Sequence, residues 1–419
     1  MKTVDTLVVG AGISGLTYAL FASDDCLIVE KDASPGGLCR TFYEGEYVWD
    51  YAGHFFHFAD NEIKRFFEEF TKPEDIVSCV KQTNINYNGR IIDYPFQMNI
   101  HQLPKDEFID CLYYLFQRDA SKYDTFLEML YAKFGRGITD RFLKPYNEKL
   151  YACNLNDLDK DAMGRFFPYA DPREIILNMK RKEKTSYNDS FDYPKLGAQY
   201  YIDKLVKKVG LNRIQLNAPF TSIDIEKNVA SVNGTPIKYK KLVSTIPLNV
   251  FSSYLPLEER RIVDGILKSN KVLVFNLGFD RGGDDTLTHW TYYPMKETNF
   301  YRVGFYNNIL KTEKLSMYVE IGYKSDSLID IDEELTTTIK NLREIGVITD
   351  HKLVDYNAIV IDPAYVHIST DSVSAVTDLK RRLAEKSIYT IGRYGGWKYC
   401  SMEDCMIEAS NLALELNSQ

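Results

Sequence analysis

The run Gly10-Ala11-Gly12-Ile13-Ser14-Gly15 is the first point at which residue types and spacing imply chemistry. Its first glycine suits a tight turn, its second lets the backbone approach a pyrophosphate, and its third permits close contact between helix and strand. Phosphate charge then meets the N-terminus of the helix that follows. Alone, such a run says little. Here it follows an apolar strand, "VDTLVV", opens an apolar helix and precedes a second apolar strand, "CLIVE". Glu30 ends that strand about twenty residues on, where a carboxylate takes ribose hydroxyls. A glycine-rich turn with an unrelated surface glutamate would have to reproduce all of this by coincidence. Gly10, Gly12, Ser14, Gly15 and Glu30 are therefore read as a dinucleotide site.

A second glycine pair, Gly36-Gly37, follows in "KDASPGGLCRT", with Arg40 three residues on. The pair lets the backbone reach the same pyrophosphate from the other side, and Arg40 adds charge. This motif resembles that of the FAD-dependent amine oxidase and protoporphyrinogen oxidase superfamily, which implies FAD. Next comes "DYAGHFFHFADNE", with His54 and His57. A metal reading lacks a third ligand and a helical setting. Two readings stay open: histidines in an aromatic core turn, or Gly53 and His54 passing beside a flavin, where a neutral imidazole bonds its reactive edge.

Near the C-terminus, "GRYGGWKYCSMED" places Ser401 as an N-cap, with Glu403 and Asp404 in the first helical turn, where carboxylates suit the dipole. Free N–H groups at that helix start suit the negative pyrimidine edge of a reduced flavin. Gly392, Arg393 and Met402 join the cofactor set on this reading. The plainer reading is a glycine-rich turn before a packing helix.

These residues require elements to position them. The fold expected is α/β: a discontinuous, Rossmann-like FAD-binding domain (1–70, 190–260 and 350–419), a helical substrate lobe (71–189) and an antiparallel β-sheet substrate domain (261–349). The lobe rests on apolar residues three and four apart in "KDEFIDCLYYLFQRDA" and "YDTFLEMLYAKFG", and the sheet on alternation in "KVLVFNLGF" and "LSMYVEIGY".

Bulk composition bounds the answer. Hydrophobic residues make up 45% and charged residues 26%, as in ordinary globular proteins. A net charge of -8 argues against non-specific nucleic-acid binding. No apolar run approaches a membrane span. Seven scattered cysteines without a CxxC read as reduced packing thiols. A strand pattern that starts at once leaves no room for a signal peptide, so a cytoplasmic protein is expected. Tyrosine, at 30 residues, is unusually frequent and suits stacking on a sugar or base with a hydroxyl to spare.

Taken together, the motifs resemble the UDP-galactopyranose mutase family, particularly its eukaryotic-type branch. The likeness is carried in order by "AGHFFHF", "DYPFQMNIHQLP", "KPYNEKLYA", "HWTYYPMKETNFYRVGF", "AYVHIST" and "GRYGGWKY". It implies that Phe96 stacks on a uracil with Tyr94 nearby, that Gln97 bonds the uracil edge, and that Asn147 lies near the nucleoside. Arg165, in "AMGRFFPYADP", and Arg302, twelve positions after Trp290, would be the two diphosphate arginines. Two guanidiniums on one diphosphate fit charge-assisted, bidentate recognition. Trp290, Tyr292, Asn188, Tyr365 and Tyr399 would reach the sugar or diphosphate, and Arg393 would hold the flavin. On residues alone, surface ion pairs for the arginines and core packing for Phe96 and Trp290 are the competing readings.

The chemistry implied by the resemblance is a ring contraction without net oxidation. Reduced FAD attacks the anomeric carbon of UDP-galactopyranose through N5, UDP leaves, and the adduct opens and recloses to the furanose before UDP returns. His54, Arg165 and Arg302 would assist. An external reductant, NAD(P)H or a reductase, is implied, and the product would serve cell-surface polysaccharide biosynthesis. The chain departs from the family pattern at "LGAQYYI", where a glycine-rich run is expected, and at Glu403, where an amide is expected near the sugar. The rivals are a mutase on another nucleotide sugar, a true FAD oxidase or desaturase, and a flavoprotein that has lost turnover.

Overall fold

The computed structural model describes residues 1–119, 122–180 and 190–418. The strand β1 (Lys2–Val9) is followed by the helix α1 (Ile13–Phe21) and the strand β2 (Cys26–Val29). Much later come β3 (Thr235–Ser244), β4 (Ile388–Thr390) and the helix α2 (Met402–Asn417). The four strands lie parallel in the order β2-β1-β3-β4, with Val9 opposite both Val29 and Ser244, and Ser244 opposite Thr390. Their C-terminal ends therefore finish level. The next residues are tied together: Gly10 N–H donates to Val29 O, Thr245 N–H to Val9 O and Ile391 N–H to Ser244 O. Ligands of such sheets bind beyond these ends.

Helices cover both faces, which is why the strands are continuously apolar. On one side α1, α2 and the helix Gln199–Val209 bury Leu16, Ala19, Leu205, Ala409 and Ala413 against Val8 and Ile28. On the other, Thr370–Ala384 buries Leu379 and Leu383 against Leu7, Leu27 and Leu242.

A second sheet of eight strands runs Leu353–Ile361, Lys268–Phe279, Ser316–Lys324, Arg302–Phe305, Trp290–Tyr292, Thr83–Tyr87 and Arg90–Asp93, with Val366–His367 pairing the start of Lys268–Phe279. It is antiparallel except where Trp290–Tyr292 meets Thr83–Tyr87. Two features differ from the sequence reading. Thr83–Tyr87 and Arg90–Asp93 form a hairpin inside the stretch expected to be helical, and Leu353–Ile361 pairs with Lys268–Phe279 instead of joining the first sheet. The hairpin had a local signal, Asn88-Gly89, both at positive φ (51° and 77°), the conformation a tight hairpin turn demands.

Helices Lys105–Phe116 and Phe126–Ile138 form the lobe, as their periodicity predicts. They touch closely at Gly137, where a Cβ would lie 2.7 Å from the Cα of Cys111.

Candidate functional site

The glycines build a cradle at the end of β1. Gly10 has φ +102° and an added Cβ would lie 2.5 Å from Thr245 Oγ1; at Gly15 it would lie 2.0 Å from Gly10 O. Gly36 N–H donates to Ala11 O, and Gly12 bridges to Gly36, so the two glycine motifs run side by side. Gly12 caps α1 without a side-chain hydrogen bond, leaving the helix start to the backbone alone. Glu30 is buried beside it, its Oε2 accepting from Ala11 N–H at 2.9 Å and its Oε1 from Asp32 N–H at 3.1 Å.

Arg40 plays a more local part than expected. Its Nη2 pairs with Asp32 at 2.7 Å and its Nε donates to Gly37 O at 2.8 Å, so its charge is already matched and it buttresses the second glycine turn.

The distant C-terminal motif closes on the same cradle. Gly392 has φ +82°, and a Cβ there would lie 2.5 Å from Ser14 Oγ. Its N–H donates to Glu408. Arg393 donates to Cys400 O at 3.1 Å and lies over the rings of Tyr399 (4.6 Å) and Tyr365 (5.5 Å). Ser401 caps α2 in a reciprocal box with Asp404, as its spacing predicts. Met402, the first residue of α2, accepts from the Cys39 thiol through Sδ.

His54 is neutral. Burial pushes its pKa down to about 4, against the opposing bond to Ala52. Because Nδ1 lies 2.9 Å from Ala52 O, a carbonyl, Nδ1 carries the proton and Nε2 is the acceptor. Gly53 has no room for a side chain, since a Cβ would lie 2.6 Å from Tyr318 Oη. A cradle without Cβ atoms, an α1 start without a side-chain cap, a buried carboxylate beside it and a neutral imidazole together fit a flavin dinucleotide.

Beside the cradle lies a cavity of about 260 Å³, bounded by Trp290, Tyr292, Arg302, Arg165, Tyr365, Tyr399, Met402 and Glu403. Trp290 stacks on Phe55 (5.4 Å, 6°) and donates through Nε1 to Tyr292 Oη at 2.9 Å. Tyr365 and Tyr399 stack at 6.0 Å. Burial raises the pKa of Tyr94, Tyr146, Tyr292 and Tyr365, so these phenols stay protonated donors at neutral pH. Both expected arginines reach the cavity, each already holding a carboxylate. Arg165 meets Asp404 at 2.5 Å, and Arg302 meets Glu320 through two bonds of 2.8 and 2.7 Å.

Several expected residues lie elsewhere. Phe96 is fully buried and stacks on Phe142 (5.0 Å, 13°), which stacks on Tyr146 (5.3 Å, 9°); Phe96 is two rings behind the wall and does not line the cavity. Gln97 is buried too and donates to Pro168 O, and Asn147 donates to Leu143 O at 2.6 Å. Glu403 lines the cavity, but its Oε1 accepts the N–H groups of Ala59 and Asp60 at 2.9 and 2.8 Å, fastening the histidine loop to α2. Asn188 lies outside the described residues.

Tyr94 lines the cavity as expected. Tyr146, Phe55, Phe166 and Lys81 line it as well and were missed; so was Glu320, the partner of Arg302, which is not among the lining residues. Tyr146 sits next to Asn147 in "KPYNEKLYA"; it lies three residues after Leu143 and four before Leu150, both buried, so helical phase puts it on the same inward face and was the signal that could have found it. Among the described residues no group of three or more His, Cys, Asp or Glu could hold a metal ion, and no helix is long and apolar enough to cross a membrane.

A family model described as flavin containing amine oxidoreductase matches residues 13–365. Among solved structures, the chain is similar to a reduced UDP-galactopyranose mutase, with a TM-score of 0.92 and 21% identity over 100% of this chain and 95% of that one. It is also similar to a cyclohexylamine oxidase from Brevibacterium oxydans IH-35A (TM-score 0.73, 12% identity, 99% of each chain). A fatty acid isomerase from P. acnes matches with a TM-score of 0.69 and 12% identity over 98% of each chain. At these identities the likeness is one of fold.

Proposed function

The chain belongs to the flavin-containing amine oxidoreductase family, and on that footing we propose that it is a sugar-nucleotide mutase that interconverts UDP-galactopyranose and UDP-galactofuranose with reduced FAD and no net oxidation. The observation that carries this reading is the pair Arg165 and Arg302 on one tyrosine-lined cavity beside the flavin cradle. A diphosphate needs such a pair, whereas an apolar or amine substrate would leave two guanidiniums facing it. The fold likeness to a mutase supports the same reading. The motif order is the basis for placing the chain near the eukaryotic-type branch.

Reduced flavin, when bound, supplies a nucleophile toward the anomeric carbon. Gly10, Gly12, Gly36, Gly37 and Glu30 would hold its dinucleotide part, and His54, Gly392, Arg393 and Met402 its ring end. Arg165 and Arg302 keep UDP in place while its bond to the sugar is broken and remade. Tyr94 and Tyr146 take the stacking role for the base that the resemblance gave to Phe96. Tyr292, Tyr365 and Tyr399 donate to the diphosphate or sugar, and Trp290 forms the wall. Positioning and electrostatics carry the reaction. NAD(P)H or a reductase supplies the electrons, in the cytoplasm, for cell-surface polysaccharide assembly.

The second reading, an oxidase of the same family, is favoured by the fold likeness to an amine oxidase. The test is anaerobic reduction with dithionite, incubation with UDP-galactopyranose and chromatography of the UDP-sugars, with oxidised protein as control. A furanose product confined to the reduced sample supports the mutase. Failure to bind UDP at all would discard it in favour of the oxidase.

A further inference from the structure

Seven cysteines are free thiols, and one of them is treated differently from the rest. Cys400 and Cys405 place their sulfurs 3.5 Å apart at the start of α2, both nearly buried. The two thiols share a hydrogen bond, and the Cys400 thiol, the Ser14 hydroxyl and the Arg393 backbone N–H near Cys405 hold its thiol below the ordinary value against burial. Cys405 also lies in the first turns of α2, where the helix start favours negative charge. Cys39 shows the contrast: it is buried, faces only the Met402 sulfur, and burial pushes its thiol up. Burial raises Cys26, Cys79, Cys111 and Cys153 as well, while the donors lower Cys405.

We propose that Cys405 and Cys400 form a peroxide-sensitive modification site, Cys405 as the attacking thiolate and Cys400 as the resolving thiol, which closes reversibly to a disulfide. The step balances. The Cys405 thiolate attacks one peroxide oxygen, the O–O bond breaks, and Cys405 sulfenic acid and hydroxide result. Cys400 then attacks that sulfur, the S–OH bond breaks, and water leaves as the S–S bond forms. Two thiols are oxidised by two electrons and one peroxide is reduced. A shift of about 1.5 Å brings the sulfurs to bonding distance. Peroxide is small enough to arrive by the cavity, since Tyr399 and Ser401, on either side of Cys400, both line it. Ser14 and Arg393, which stand near Cys405, belong to the cofactor cradle and its closing segment, so the pair sits directly behind the cradle.

The test is titration of the purified flavoprotein with hydrogen peroxide, followed by thiol counting and peptide mass spectrometry without reduction. The expected result is loss of two of the seven thiols, a Cys400–Cys405 crosslink lighter by two hydrogens, and recovery with dithiothreitol. Cys400→Ser keeps a hydroxyl donor at Cys405 and removes the resolving thiol, so the sulfenic acid should persist and be captured by dimedone. Oxidation of other cysteines while this pair stays reduced would overturn the proposal, as would a sulfinic acid at Cys405 in the wild type without the crosslink.

Discussion

Arg302 and Glu320 stand opposite each other on neighbouring antiparallel strands and join through two parallel hydrogen bonds, with Glu320 only 2% exposed. Burial opposes the guanidinium charge, but Glu320 beside it holds its pKa above the ordinary value. The carboxylate occupies one edge of the fork, so a diphosphate bound as proposed would meet an arginine whose orientation is already set. Glu320→Gln removes half of a buried pair, which costs about 3 kcal/mol where the remaining charge is left without its partner. The variant should melt earlier and bind UDP more weakly; calorimetry of both checks it. Unchanged UDP affinity would mean that Glu320 does not orient Arg302.

The other arginine is held by an anion that, on the proposed function, a diphosphate would displace. Asp404 pairs with Arg165 while also capping α2. Asp404→Asn keeps an oxygen for the cap and removes the competing charge. Because Arg165 is 45% exposed, the gain is small, UDP binding tighter by at most about fivefold. The difference should shrink in salt. Weaker binding in the variant would show that Asp404 assists the ligand.

Two buried groups oppose each other with pH. Asp50, held by Thr41, Tyr193 and Ala198, is pushed by burial from 3.8 up to about 6, so the stability it contributes is complete below 3.8 and lost as pH rises through 6. His54 is pushed from 6.5 down to about 4, so its contribution is present above 6.5 and lost as pH falls through 4. The slopes have opposite signs. Urea unfolding of the apoprotein should therefore vary little over this window. Asp50→Asn should make stability fall on acidification, and His54→Asn should make it fall toward pH 6. Matching slopes in the two variants would refute the pairing.

Glu403 is a fastening point in this structure. Glu403→Ala strands the N–H groups of Ala59 and Asp60, at a cost of about 1–3 kcal/mol. Hydrogen exchange at those two amides should accelerate while the core of β1 stays protected. Glu403→Gln retains an acceptor and should behave nearly as the wild type.

Gly392 tests the closing of the cradle. A side chain there meets Ser14 Oγ at 2.5 Å and is strained at φ +82°. Gly392→Ala should be purified with much less flavin than the wild type, read from the visible absorbance, and full flavin content would argue against this contact.

Local patterns were the legible part of this chain. The glycine run, Glu30 and the Ser401–Asp404 cap are defined by residues a few positions apart or by one strand–helix–strand unit, and each stands where its spacing predicts. Arg165 and Arg302 were found through a motif, but Asp404 lies 239 positions from Arg165, and nothing local announces that pairing. Phe96 and Gln97 lie off the cavity lining for a related reason: an aromatic and an amide suit a base and a core equally, and nothing local announces the stack on Phe142 that sets Phe96 in the core. The hairpin at Asn88-Gly89 was overshadowed by strong helical periodicity on its C-terminal side.

The contact between Ser14 and Gly392 also has a meaning in time. A ribosome makes the glycine cradle long before the residues that let β4 dock beside β3 and bring Gly392 against Ser14. Such distant pairing is slow to form and exposed while it waits. Until then the cradle stands open on the side that Gly392 closes.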